Sequence, residues 1–123
     1  MRSAKSTLMQ QIQMLDHNFM GLTRSMSQAN DLQIHNLEAI KASISSLRGM
    51  IEALPDGPVA LSLCHDMRNQ LTVIRGFTEV LKYEWVGALD TAAKVFVDKV
   101  LDFTRLIEAA IQANTGTSAL LSS

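Results

Sequence analysis

The stretch Leu89-Asp90-Thr91-Ala92-Ala93-Lys94-Val95-Phe96-Val97-Asp98-Lys99-Val100-Leu101-Asp102-Phe103-Thr104-Arg105-Leu106-Ile107-Glu108-Ala109-Ala110 decides the fold. Its apolar residues Leu89, Ala93, Phe96, Val100, Phe103, Ile107 and Ala110 alternate steps of four and three, the spacing of a helix that buries one seam. Upstream, Ala60, Cys64, Met67, Leu71, Ile74, Leu81 and Trp85 keep the same spacing, with Thr78 in the remaining slot. The two runs are separated by Trp85-Val86-Gly87-Ala88-Leu89-Asp90, and the second ends at Asn114-Thr115-Gly116. Nothing alternates with period two, so strands are not expected. The spacing predicts a helical hairpin over residues 58–85 and 89–113.

The sharpest break in the chain precedes this hairpin. Leu54-Pro55-Asp56-Gly57-Pro58 holds both prolines, and residues before proline avoid the helical region. On its N-terminal side Leu8, Ile12, Leu15, Phe19, Leu22, Met26 and Ala29 hold a helical seam, and Leu37, Ile40, Ile44, Leu47, Ile51 and Leu54 hold another. Joining the two takes one extra step of four across Gln33, a stutter. One continuous helix would run about 70 Å at 1.5 Å per residue. The alternative is a turn at Asn30-Asp31, two good capping residues, which makes two shorter antiparallel helices. The regular resumption of the seam favours the continuous helix.

The expected fold class is therefore all-α. Residues 1–54 form a long coiled-coil-like N-terminal helix, 55–116 the hairpin and 117–123 a flexible tail. A hairpin with one apolar stripe per helix has too small a core to stand alone. Two hairpins paired about a two-fold axis close a four-helix bundle, so a homodimer is expected. A monomer requires the N-terminal part to fold back.

Composition narrows the function. The chain has 123 residues, 47% hydrophobic and 19% charged, which is normal for a globular protein and too apolar for disorder. Eleven basic residues against twelve acidic leave a net charge of −1, which argues against nucleic acid as a partner. A lone cysteine, Cys64, excludes a disulfide-stapled scaffold. No stretch approaches the roughly 20 apolar residues of a membrane span, and the start leads into Gln10-Gln11 rather than an apolar signal core. A cytoplasmic protein is expected.

One segment differs from the rest: Ser62-Leu63-Cys64-His65-Asp66-Met67-Arg68-Asn69-Gln70-Leu71-Thr72-Val73-Ile74-Arg75-Gly76-Phe77-Thr78-Glu79-Val80-Leu81. On a helical wheel Leu63, Met67, Leu71, Ile74, Leu81 and Trp85 fall on one side. His65, Asn69, Thr72 and Gly76 fall on the other, with Asp66 at the flank. An outward neutral imidazole is a nucleophile. The carboxylate beside it is placed to hold a proton, and the carboxamide at i+4 is its neighbour on the same face. Gly76 keeps the surface shallow. A lone exposed histidine on a helix is usually only solvated, which is the reading for His17 and His35. Cys64-His65-Asp66 is no catalytic triad, because consecutive helix residues point in different directions, and no second Cys or His stands at metal-ligand spacing.

His65-Asp66-Met67-Arg68-Asn69-Gln70-Leu71-Thr72-Val73-Ile74-Arg75-Gly76-Phe77 resembles the H-box of sensor histidine kinases, in their dimerisation and histidine-phosphotransfer domain. The family pattern is His, an acidic residue, any residue, Arg, Asn or Thr, Pro, Leu, an apolar residue, Ile and Gly. The resemblance covers residues 58–113 at most and implies the same hairpin fold. It implies that His65 is the phosphoacceptor and Asp66 the general base. Asn69 would position water or the phosphoryl group, and Arg68 would support phosphate or the acidic neighbour.

Two departures matter. Gln70 stands where the family has proline, whose missing backbone donor bends the helix. No Gly-rich phosphate cradle occurs in the chain, so it carries no ATP site of the family's kind and is not an autonomous kinase. The resemblance thus implies a phosphorelay protein that takes phosphate on His65 from another chain and passes it to a receiver-domain aspartate. The chain itself is expected to bind no cofactor and no metal, and Mg²⁺ is expected on the receiver. The alternatives are a non-catalytic docking or dimerisation module for a kinase or response regulator, and a receiver phosphatase working through Asn69.

Overall fold

The computed structural model describes residues 4–55, 57 and 59–114. They form four helices, α1 (Ala4–Ser25), α2 (Asp31–Glu52), α3 (Leu61–Lys82) and α4 (Thr91–Ala113), with no strand among the described residues. Each helix packs on the next, and α4 closes the ring against α1. The ion pairs Arg75–Glu108 at 2.7 Å and Lys82–Asp98 at 3.2 Å run in opposite chain directions, as antiparallel neighbours require. The all-helical expectation agrees with this bundle.

The long N-terminal helix does not form: the chain reverses at residues 26–30. The cause is local chemistry at the expected stutter. Asn30 is the N-cap of α2, its side chain accepting from Gln33 N–H at 2.7 Å, while the Gln33 carboxamide accepts from Asn30 N–H at 3.0 Å. This reciprocal cap satisfies two amide donors that a helix start otherwise leaves unpaired. Asn30 also donates to the Val86 carbonyl at 2.8 Å and Gln33 to that of Ala88 at 3.1 Å, tying this turn to the α3–α4 loop. Gly87 lies directly beneath, at φ +150°; a Cβ there would stand 2.6 Å from Asn30 Nδ2. Only glycine allows that approach in that conformation.

With α1 and α2 folded back, one chain closes its own core. Leu8, Ile12, Leu15 and Leu22 of α1, Ile40, Ile44, Leu47 and Ile51 of α2, Met67, Leu71, Ile74 and Leu81 of α3, and Val97, Val100, Ile107 and Ile111 of α4 are essentially inaccessible. The α3–α4 stripe that appeared to call for a second chain is covered by the first half of the same chain. The linker at residues 53–60 joins the halves, and Val59 N–H donates to the Asn114 carbonyl at 3.0 Å, pinning the start of α3 to the end of α4. The expected tail, residues 117–123, lies outside the described residues.

The seams hold in α1, α2 and α3 and shift in α4. Cys64, Met67, Leu71, Ile74, Thr78 and Leu81 are buried as spaced, but α3 stops at Lys82, so Ala60 and Trp85 lie outside it and are exposed. In α4, Phe96, Phe103 and Ala110 are only half-buried, while Val97, Leu101, Thr104 and Ile111 are buried. The buried set of α4 is Ala93, Val97, Val100, Leu101, Thr104, Ile107 and Ile111, a stripe turned from the spaced seam toward the helices that α4 packs on, α1 and α3. Thr78 and Thr104 sit in this core at no cost in orphaned hydroxyls, each donating to the carbonyl four residues back.

Ile44→Ala should cost about 2–5 kcal/mol, the range for emptying a buried aliphatic site. Trp85→Ala should change stability by less than about 0.5 kcal/mol. Urea unfolding followed by circular dichroism checks both; a large loss at Trp85 would return that residue to the core.

Candidate functional site

α3 is amphipathic from its first turn, and the partition sorts the motif. Cys64 and Met67 point into the core, while His65, Asp66, Arg68 and Asn69 are exposed. His65 and Asn69, one turn apart and so about 6 Å along the axis, share the outer face with Thr72 and Gly76. Among the described residues no hydrogen bond or ion pair engages the side chains of His65, Asp66, Arg68 or Asn69. In particular none joins His65 to Asp66. The site is an open, solvated helix face with its polar groups free, and its backbone is fixed by the core side chains directly beneath.

α3 passes through Gln70 as one helix of 22 residues. The residue retains the backbone donor that proline lacks. The upstream end lacks a side-chain cap, since Ala60 has nothing to offer. Its support comes instead from the Val59–Asn114 backbone bond and from Cys64, whose thiol lies 3.8 Å from the Val59 carbonyl.

The two arginines of the motif have different surroundings. Arg75 is committed to the bundle, 2.7 Å from Glu108 on α4 and 4.0 Å from Glu79 one turn on. Arg68 has no such partner among the described residues and is the cation available beside His65. Three apolar residues escaped the sequence reading: Val73, Phe77 and Val80, which with Thr72 and Gly76 line an open depression of about 350 Å³ further along the same face. Their signal was apolar side chains at steps of four and three away from the core seam. Gly76 forms the floor, where a Cβ would meet nothing within 4 Å. His35, on α2, stands edge-on to Phe77 at 6.5 Å between ring centroids.

The arrangement presents a nucleophilic nitrogen, a carboxylate, a guanidinium and a carboxamide on one exposed face, followed by a shallow apolar patch. No group of three His, Cys, Asp or Glu among the described residues could hold a metal ion, and no helix is long and apolar enough to cross a membrane. Comparison with protein families, curated proteins and solved structures finds no match to this chain.

Burial pushes the Cys64 thiol above its ordinary value, the nearby Arg68 charge opposing this only in part. A buried neutral thiol is a poor nucleophile. Cys64 should therefore resist iodoacetamide in the folded protein and react on unfolding, as mass spectrometry would read. Its folded pKa lies above the unfolded one, so its contribution to stability is complete at neutral pH. That contribution falls as pH climbs past 9.0, and a Cys64→Ser variant should lose this alkaline limb in a stability-against-pH series.

Proposed function

We propose that the chain is a histidine phosphotransfer protein of a phosphorelay, with His65 as the phosphoacceptor. The observation that carries the reading is the outward position of His65 on a rigid helix, with Arg68 and Asn69 free on the next turn. The H-box resemblance over residues 65–77 supplies the reaction type. Phosphoryl transfer asks a protein chiefly for position and charge stabilisation, and a solvated face on a packed bundle supplies both.

The imidazole lone pair attacks the phosphorus of a donor phosphohistidine or aspartyl phosphate, forming an N–P bond as the donor's P–N or P–O bond breaks and its pair leaves with the donor. Asp66, or water, takes the proton that the phosphorylated ring releases. Arg68 neutralises charge on the phosphoryl oxygens, and Asn69 donates to one of them. In the onward step a receiver aspartate oxygen attacks and His65 leaves. Mg²⁺ belongs to the receiver in that step. This is intracellular chemistry, and the compartment proposed is the cytoplasm.

The depression at Thr72, Val73, Gly76, Phe77 and Val80 favours a second reading, in which the face serves only to dock a receiver or kinase. Incubation with a labelled receiver or kinase separates the two. Transfer predicts acid-labile, base-stable label on the chain, reduced at least 100-fold by His65→Ala. Receiver binding with no label from any donor leaves docking alone. Receiver dephosphorylation that survives His65→Ala but is lost in Asn69→Ala would instead make the chain a receiver phosphatase.

Gly76→Ala adds a test of the depression. It should raise stability by about 0.5–1 kcal/mol, as alanine does for glycine within a helix, and weaken receiver binding by filling the floor. Unchanged binding would remove the depression from the interface.

A further inference from the structure

The reversal between α1 and α2 is built from residues that do not need to reverse. It reads Met26-Ser27-Gln28-Ala29-Asn30, with neither glycine nor proline. The only non-glycine residue with a left-handed backbone among those described is Glu84, in the other loop. Helix ends commonly rely on a left-handed glycine, and none is used here. Met, Gln and Ala are good helix formers, so the segment is competent to continue α1 into α2. The apolar seam also continues through it, displaced by a single stutter.

The bend is held by polar contacts of two side chains. These are the reciprocal Asn30–Gln33 cap and the bonds from Asn30 to Val86 and from Gln33 to Ala88. Packing at the turn is incomplete: a cavity of about 190 Å³ lies under it, lined among others by Met26, Ala29, Gln33 and Leu89. α1 also rests more on α4 than on α2. Its main seat in the bundle is thus not the helix it is joined to.

We propose that residues 26–30 are a hinge between two forms of this protein. In the closed form α1 folds back on its own chain, as described above. In the exchanged form α1 runs straight into α2, and two chains swap their first helices. Each α1 then packs on α4 of the other copy. The occupant is a second copy because the exchange remakes the same core contacts between chains: Leu8, Ile12, Leu15, Phe19 and Leu22 meet an identical α4 surface. Only the hinge differs. The two reciprocal cap bonds between Asn30 and Gln33 are released, and helical backbone bonds through residues 26–30 replace them. Asn30 and Gln33 are thus the residues that keep the chain closed. This inference does not rest on the phosphotransfer reading of His65.

Size-exclusion chromatography with light scattering on the full chain tests it. Asn30→Ala with Gln33→Ala should raise the dimer fraction at least tenfold at fixed protein concentration. Ser27→Gly with Gln28→Gly, at two exposed positions, should lower it below that of the parent chain. The exchange is read with a short bis-maleimide. Asp16→Cys and Arg48→Cys place two thiols where an α1–α2 ion pair spans 2.9 Å, while buried Cys64 stays silent.

In the closed form these thiols link within one chain, and in the exchanged dimer they link two chains. Interchain product in the Asn30→Ala, Gln33→Ala background supports the hinge. A monomer at every concentration, or a dimer with intrachain links only, overturns it. If that background fails to fold, the cross-link is made on the otherwise unaltered chain refolded at high concentration. Interchain product above the Ser27→Gly, Gln28→Gly level then supports the hinge, and equal levels overturn it.

Discussion

The reciprocal bond between Asn30 and Gln33 is the interaction on which the rest of the structure depends. It turns the chain back on itself at a point where propensity alone would let a helix run on. The first half then becomes the cover for the second. The α3–α4 hairpin has its apolar stripe filled from within, and the polar face of α3 is left outermost. The same two side chains reach across to Val86 and Ala88, so a single constraint sets both the α1–α2 turn and the loop that joins α3 to α4. Gly87 is the matching requirement on the far side, a residue without a side chain where two carboxamides must pass.

The candidate site inherits its rigidity from this arrangement. His65 stands one residue after Cys64 and two before Met67, both buried, so the imidazole is held by a helix that cannot rotate without exposing its core. Arg75 binds that helix to α4 through Glu108, which leaves Arg68 as the unengaged cation of the motif. The nucleophile, the neighbouring acid and the carboxamide are displayed without being locked into contact with one another. That suits chemistry completed by a visiting partner, which brings the remaining groups and closes the site to water.

Helix content and most of the core were legible in the sequence because burial in a helix repeats at steps of three and four. Leu8 to Leu22 and Leu37 to Leu54 follow that period without exception, and so does the interior of α3. The path of the chain was harder to read. A seam is periodic whether or not the helix continues, and its period says nothing about what lies across from it. The reversal at Asn30 was present as a capping signal, but periodicity outweighed it, because the tertiary bonds of Asn30 and Gln33 to residues more than fifty positions away leave no local trace. The same blindness to neighbours misplaced part of the α4 stripe, whose facing is set by the helices it packs on. At the site, the outward face of His65 and Asn69 followed from the wheel. The commitment of Arg75 depends on Glu108, which α4 brings alongside, and only coordinates reveal that.

Trp85 has a consequence for how this molecule can be observed. It is the only tryptophan in the chain, 72% exposed, and it leans on Tyr83 with 5.6 Å between ring centroids. Its loop is held by the Glu84 carboxylate, which accepts from Leu89 N–H and pairs with Lys94. Intrinsic fluorescence therefore reports from the wet tip of the bundle, at the end opposite His65, and is nearly blind to melting of the interior. A change in emission marks something settling on that tip or the neighbouring loops coming apart. For this chain, a quiet fluorescence trace is no sign of an intact centre.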